Sequence, residues 1–317
     1  MSATAIEDGL RIAVLLPCHN DAATIGGIVR GFADAIPTAV IYVFDNNSTD
    51  DTAREATRAG AHVRRESRPG RGSVVRRMFA DVEADVYVLA DPSGQYDPAD
   101  APSLVYTLIT ERVDMVVGTR GDQRASAFGM ALPRQPWGRR AFDWCYRRYF
   151  GDTVHDIGSS YRAFSRRFVK SFPAIPKGFD VEIELSMHAS QLMMSVAEIK
   201  LTDPQAIPKV NTARKFGDGL RALGLAAVLL RDARPFVFYS AVAVCFWTVG
   251  LMMMTPRTIS LFDGQLGQAP AGTFLGTTML LAGFVFASCG LILDALRRSR
   301  IEQKRTIFLT VPSLGAH

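Results

Sequence analysis

Val86-Tyr-Val-Leu-Ala90 runs directly into Asp91-Pro-Ser-Gly-Gln-Tyr-Asp-Pro98. The first five residues are apolar and rich in β-branched or aromatic side chains, which reads as a buried strand. A carboxylate at the C-terminal end of such a strand lies where open α/β sheets bind their ligands. Asp91 is therefore the first candidate for chemistry, and the strand before it is the reference for the fold.

Upstream, the same alternation repeats. Arg11-Ile-Ala-Val-Leu-Leu-Pro17 reads as a first strand and residues 22–35 as a helix, with Ile25, Ile28, Val29 and Phe32 on one face. Ala39-Val-Ile-Tyr-Val-Phe44 is a second strand, 51–59 a helix, Ala61-His-Val-Arg64 a short third strand and 73–82 a helix. Residues 86–90 are the fourth strand and Met115-Val-Val-Gly118 the fifth. Further on, a strand in 156–201 looks antiparallel, followed by a helix near 181–190 and a strand near 195–201. Strands alternating with helices predict an α/β fold with a mostly parallel sheet.

The chain has 317 residues, 48% of them hydrophobic, and a formal net charge of +5. That modest charge points away from nucleic acid and towards anionic substrates and an anionic lipid surface. The N-terminus has neither a basic nor an apolar signal segment, so no cleaved signal peptide is expected. Cys18, Cys145, Cys245 and Cys289 are far apart and show no metal-site spacing. Free thiols in a reducing compartment are the simplest reading.

Charge is absent from Pro235 to Met254 and again from Gly272 to Leu293. Each run is long enough to cross ~30 Å of hydrocarbon. Arg231 and Arg234 precede the first; Arg297, Arg298, Arg300, Lys304 and Arg305 follow the second. The positive-inside rule then predicts a hairpin with both ends, and the large N-terminal domain, in the cytoplasm of a cell that carries it in its inner or plasma membrane. Four parts are expected: a catalytic domain over 1–215, an interfacial amphipathic helix over 216–234, a transmembrane hairpin over 235–300 and a cytoplasmic tail over 301–317.

Four loops follow the first four strands. They are Leu16-Pro-Cys-His-Asn-Asp21, Phe44-Asp-Asn-Asn-Ser-Thr-Asp-Asp-Thr52, Arg68-Pro-Gly-Arg-Gly72 and the Asp91 segment. In a parallel sheet all four converge on one crevice. In this order and spacing they resemble the family 2 glycosyltransferases of GT-A fold. The nearer likeness is to the membrane-anchored polyprenol-phosphate sugar synthases, the group of the dolichol-phosphate mannose synthases. It extends over roughly residues 11–215, and the C-terminal hairpin suits it.

The resemblance implies roles for single residues. Pro17 and Asp21 match a Pro-x-x-Asn-Glu motif with Asp in place of Glu, lining the base and ribose of a nucleotide-sugar donor; Asp21 would equally suit a helix N-cap. Asp45 matches the first acid of an Asp-Asp-x-Ser pattern that binds the base edge, and Asn46 stands where a second Asp is common. Ser48 and Asp50 would serve as well as caps for the next helix. Gly70-Arg71-Gly72 is similar to a Gly-Lys-Gly turn facing the nucleotide.

Asp91, with Gln95, corresponds to the metal-binding Asp-x-Asp-x-Gln segment, which implies Mg²⁺ or Mn²⁺ bridging the donor diphosphate. Ser93 replaces the second acid. Thr153-Val-His-Asp156 and the residues to Phe164 are similar to the acceptor segment. There Asp156 would be general base towards a hydroxyl, or orient a lipid phosphate that is already ionised. Arg162 would grip phosphate. Glu182 is expected to face the cleft, and Arg139 and Lys209 to contact phosphate. The resulting expectation is an inverting glycosyltransferase acting on polyprenyl phosphate or another lipid acceptor. A glycolipid hydroxyl as acceptor, or a non-catalytic nucleotide-sugar-binding subunit, stays open. The donor's sugar and base and the oligomeric state are not set by these residues.

Overall fold

The structure, a computed structural model, describes residues 9–119, 159–173, 181–202, 231, 234–262 and 271–314. Seven strands form one sheet: β1 (Ile12–Cys18), β2 (Val40–Asp45), β3 (His62–Arg65), β4 (Val86–Leu89), β5 (Met115–Thr119), β6 (Arg162–Ser165) and β7 (Val196–Lys200). Their order is β3-β2-β1-β4-β6-β5-β7. The first four strands are parallel, β6 runs antiparallel to both β4 and β5, and β5 pairs parallel with β7. The sheet is thus mostly parallel but mixed, as the sequence pattern predicts.

The helices between the strands are α1 (Ile25–Ala35), α2 (Thr52–Arg58), α3 (Arg71–Asp81) and α4 (Ala101–Thr110). Every residue of β1 and β4 is buried. That accounts for their unbroken apolar sequences, because a parallel sheet covered on both faces has no solvent side to alternate towards. Ile25, Ile28, Val29 and Phe32 of α1 pack with Val14, Leu16 and Val43 in the main core. Each such side chain contributes roughly 1.5–3 kcal/mol on burial. After β6 come α5 (Arg166–Ser171) and α6 (Val181–Gln191), and Ser165 caps α5 by accepting the Phe168 N–H.

Two starts differ from the sequence reading. Helix α1 begins at Ile25 rather than at residue 22, and Asp21 does not cap it. Its carboxylate accepts the His19 N–H instead, at 2.8 Å. Helix α3 begins at Arg71, two residues early, because Gly70 at φ +104° turns the chain sharply into it. Glycine reaches that conformation without the strain of a side chain.

Two long helices follow, α7 (Pro235–Phe262) and α8 (Ala271–Thr310), and both are long and apolar enough to cross a membrane. They pack as an antiparallel pair through glycines. A Cβ on Gly276 would meet Met254, one on Gly283 would meet Trp247, and one on Gly290 would meet Tyr239. The Trp247 indole N–H donates to the Leu280 carbonyl at 3.2 Å. Helix α8 continues well past its apolar run, so residues 301–310, expected as tail, are helical.

The chain divides into two compact units. One holds the sheet together with the described residues from 303 onward, and the other holds most of α7 and α8. Within the first, Lys304 donates to Gln191 at 3.0 Å, the Arg167 guanidinium lies 4.7 Å from the centre of the Phe308 ring, and Leu314 packs against the main core.

Candidate active site

The parallel register brings the loop residues together. Cys18 lies opposite Asp45, and Asp45 opposite Arg65. The ladder continues one step beyond the strands, with the Asn46 N–H donating to the Cys18 carbonyl and the Glu66 N–H to the Asp45 carbonyl. Pro17, buried at the end of β1, sets the rim from which His19, Asn20 and Asp21 emerge.

Asp45 is buried and its carboxylate accepts the Ser48 N–H at 3.2 Å. Asp50 receives N–H bonds from Ala22 and Thr52, so it holds the first two loops together. Ser48 accepts the Asn20 N–H at 3.0 Å. His19 Nδ1 lies 2.7 Å from the Asn46 carbonyl. Since a carbonyl only accepts, Nδ1 carries the proton.

Asn46 explains its own departure from the acidic pattern. Its amide nitrogen donates to the carbonyls of Glu66 at 2.9 Å and Arg68 at 2.7 Å, and its oxygen accepts the Gly70 N–H at 2.9 Å. An aspartate there could not donate to either carbonyl. The side chain is a clamp on the loop that delivers Arg71.

Arg71 opens α3 and reaches into the crevice. Its Nη1 donates to Asp91 Oδ2 at 2.6 Å, and its Nε lies 3.1 Å from Glu182 Oε1. Asp91 Oδ1 accepts the Ser93 N–H at 2.8 Å. Glu182, on α6 and buried, also accepts the Ser160 hydroxyl at 3.1 Å. Ser160 N–H in turn donates to the Tyr96 hydroxyl. Ser160 and Tyr96 thus support the site; Ser160 belongs to the segment that resembles the acceptor motif, and Tyr96 to the Asp91 segment.

Electrostatics follow this geometry. Burial pushes the Asp91 carboxyl upward, but the charge and hydrogen bond of Arg71, with the Ser93 N–H, outweigh it and hold it below its ordinary value. For Asp21 burial dominates; the His19 N–H opposes it, the charges of Asp91 and Asp50 add to it, and the carboxyl lies above its ordinary value. Burial, then Asp21, Asp45 and Asp91, push the Cys18 thiol up, so it is no nucleophile. For Arg71 burial works against the charge, and Glu182 and Asp91 more than compensate.

Gly72 lies in the first turn of α3. A Cβ there meets nothing within 4 Å, so the space glycine leaves is open to a ligand. Gln95 is exposed at the rim. A divalent ion needs several oxygen donors, and this segment offers one carboxylate, Asp91, which already faces the Arg71 guanidinium. Ser93 adds no charge, and among the described residues no three His, Cys, Asp or Glu side chains are grouped to hold a metal. This donor set does not fit a divalent ion.

Arg162 requires a correction. It is fully buried, and its Nε donates to the Ser159 carbonyl and its Nη1 to the Ser186 hydroxyl, both at 2.8 Å. Register places it opposite Leu89 and Val117, inside the sheet. It is a strut between β6 and α6, with no surface left to grip a phosphate. Asp156, Arg139 and Lys209 lie outside the described residues, as do His155, Arg134, Arg140, Asn211 and most of the expected interfacial helix.

The sheet topology, with acidic and basic groups gathered at the strand ends, defines a glycosyltransferase of GT-A fold. Residues 13–172 match the model of the family described as Glycosyl transferase family 2, and the chain belongs to that family. It is 32% identical over 305 residues to glycosyltransferase AglJ of Haloferax volcanii, covering 92% of this chain and 97% of that one. It is 24% identical over 209 residues to the undecaprenyl-phosphate mannosyltransferase of Micrococcus luteus, covering 61% and 83% of the two chains. Among solved structures it is similar to glucosyl-3-phosphoglycerate synthase from Mycobacterium tuberculosis in complex with Mn²⁺, UDP and phosphoglyceric acid. The TM-score is 0.56 at 25% identity, with 72% of this chain and 80% of the other covered.

Proposed function

We propose that this chain transfers a sugar from a UDP- or GDP-sugar to polyprenyl phosphate, with inversion, at the cytoplasmic face of a membrane. The observation that carries this reading is the crevice of Asp45, Arg71, Asp91 and Glu182 in a chain that also has two helices apolar enough to cross a bilayer. The relative named for undecaprenyl phosphate supports the acceptor, and the neighbour solved with UDP supports a nucleotide donor. The arginines flanking the apolar runs support the orientation.

In this reading Pro17, Asp21 and Asp45 bind the nucleoside, and Gly72 leaves room for the diphosphate. An oxygen of the lipid phosphate attacks C1 of the sugar. The bond from C1 to the β-phosphate oxygen breaks, and its electron pair leaves with the nucleoside diphosphate. No enzyme nucleophile intervenes, so one in-line displacement inverts the anomeric centre. Asp156 orients the acceptor, because an ionised phosphate needs no base. Arg139 and Lys209 are the candidates for holding the lipid phosphate. Asp91 and Gln95, the expected ligands of a divalent ion, do not by themselves make a site for one, and no step here is routed through a metal.

The test is release of nucleoside diphosphate by detergent-purified protein from a panel of UDP- and GDP-sugars. Release that depends on added polyprenyl phosphate is the expected result. Absence of release with every donor would overturn the reading.

A further inference from the structure

Arg71 stands against Asp91, the carboxylate that resembles the family's metal ligand. In an Asp-x-Asp site two carboxylates balance a doubly charged ion. Here one of them is Ser93, and the group in contact with the remaining acid carries a single positive charge. The guanidinium is braced on its other edge by Glu182 at 3.1 Å, which Ser160 and Tyr96 hold in turn. Nε, though in ion-pair range of Glu182, and Nη2 are both buried, and neither has a hydrogen-bond partner among the described residues. A buried donor without a partner costs roughly 1–3 kcal/mol, which an arriving acceptor oxygen would recover. Arginine's planar fork suits phosphate oxygens, and the open space at Gly72, one residue on, gives a diphosphate access.

We propose that Arg71, locked between Asp91 and Glu182, is this chain's built-in cation: it binds the donor's diphosphate and carries the charge left on the departing nucleoside diphosphate, in place of a divalent metal. The proposal rests on the nucleotide-sugar reading above. When the C1–O bond breaks, the electron pair arrives on a β-phosphate oxygen, where a fixed guanidinium stabilises it without rearrangement.

Calorimetric titration of the full-length protein in detergent with UDP and with GDP, in EDTA and in Mn²⁺, tests this. The wild type is expected to bind one nucleotide with dissociation constants within about threefold in the two conditions. Arg71→Gln should weaken binding at least about tenfold in both, a factor worth ~1.4 kcal/mol. Ser93→Asp, which restores the second acid, should make binding at least about tenfold tighter in Mn²⁺ than in EDTA. That variant carries the test even if Arg71→Gln does not fold. Wild-type binding that requires Mn²⁺ would overturn the proposal and leave the donor reading intact. Failure of both nucleotides to bind in either condition would overturn both.

Discussion

The Asn46 side-chain oxygen accepts the Gly70 N–H at 2.9 Å, across 24 positions of sequence. With its amide committed to the Glu66 and Arg68 carbonyls, one side chain fixes the whole turn before α3. Asn46→Asp removes both donors and sets a carboxylate against two carbonyls. We expect a loss of about 1–3 kcal/mol in urea unfolding of the protein, with weaker nucleotide binding because Arg71 is no longer held in place.

Two neighbouring glycines should separate strain from ligand contact. Gly70 has φ +104°, so Gly70→Ala strains the backbone even though its Cβ meets no atom within 4 Å. A cost of roughly 1–3 kcal/mol follows. Gly72→Ala has neither strain nor clash. Its stability should stay within about 0.5 kcal/mol of wild type, while UDP or GDP affinity falls because the methyl occupies space a ligand would use. Unchanged affinity would place the diphosphate elsewhere.

His188 makes the fold acid-sensitive. It is buried between Phe168 and Phe172, with Nε2 3.0 Å from the Ser171 hydroxyl. Burial, with a smaller push from Lys304, brings it down to about 3. The folded protein therefore keeps His188 neutral while the unfolded chain protonates it near its ordinary value of ~6.5. Stability due to this residue is full above that value and declines as pH falls towards 3. Denaturant midpoints from pH 7 to 4 should fall less steeply for His188→Gln than for wild type.

Among the described glycines of the two long helices, Gly283 has the closest contact: an added Cβ would lie 2.4 Å from the Trp247 ring. Gly283→Ala must displace the indole and break its bond to the Leu280 carbonyl. A cost of about 1–3 kcal/mol follows from overpacking. Thermal aggregation in detergent should therefore begin at a lower temperature for Gly283→Ala than for wild type; an unchanged onset would contradict this packing.

β1 and β4 were legible because fully buried parallel strands leave short unbroken apolar runs bounded by turn residues. The crevice was legible because each of the four loops follows a strand segment in a repeating strand-helix alternation. What was not legible depends on contacts distant in sequence. Arg162 reads as a phosphate ligand until register puts it opposite Leu89 and Val117. Asn46 reads as a missing charge until Glu66 and Arg68 present their carbonyls. That residues 301–310, read as part of a cytoplasmic tail, are helical and reach Gln191 and Arg167 was not legible, because those anchors lie more than a hundred positions away. The glycines at 276, 283 and 290 repeat at a helical spacing, a signal that was present but is meaningful only once α7 lies against them.

The most direct test of the account is mass spectrometry of the lipid product. Purified protein would be incubated with polyprenyl phosphate and the donor found active in the release assay. The account predicts a polyprenyl phosphate heavier by one sugar residue, with the sugar on the phosphate and its anomeric configuration inverted from the donor. Sugar found on a lipid hydroxyl, retained configuration, or an acceptor recovered unmodified while the nucleotide still binds would contradict it.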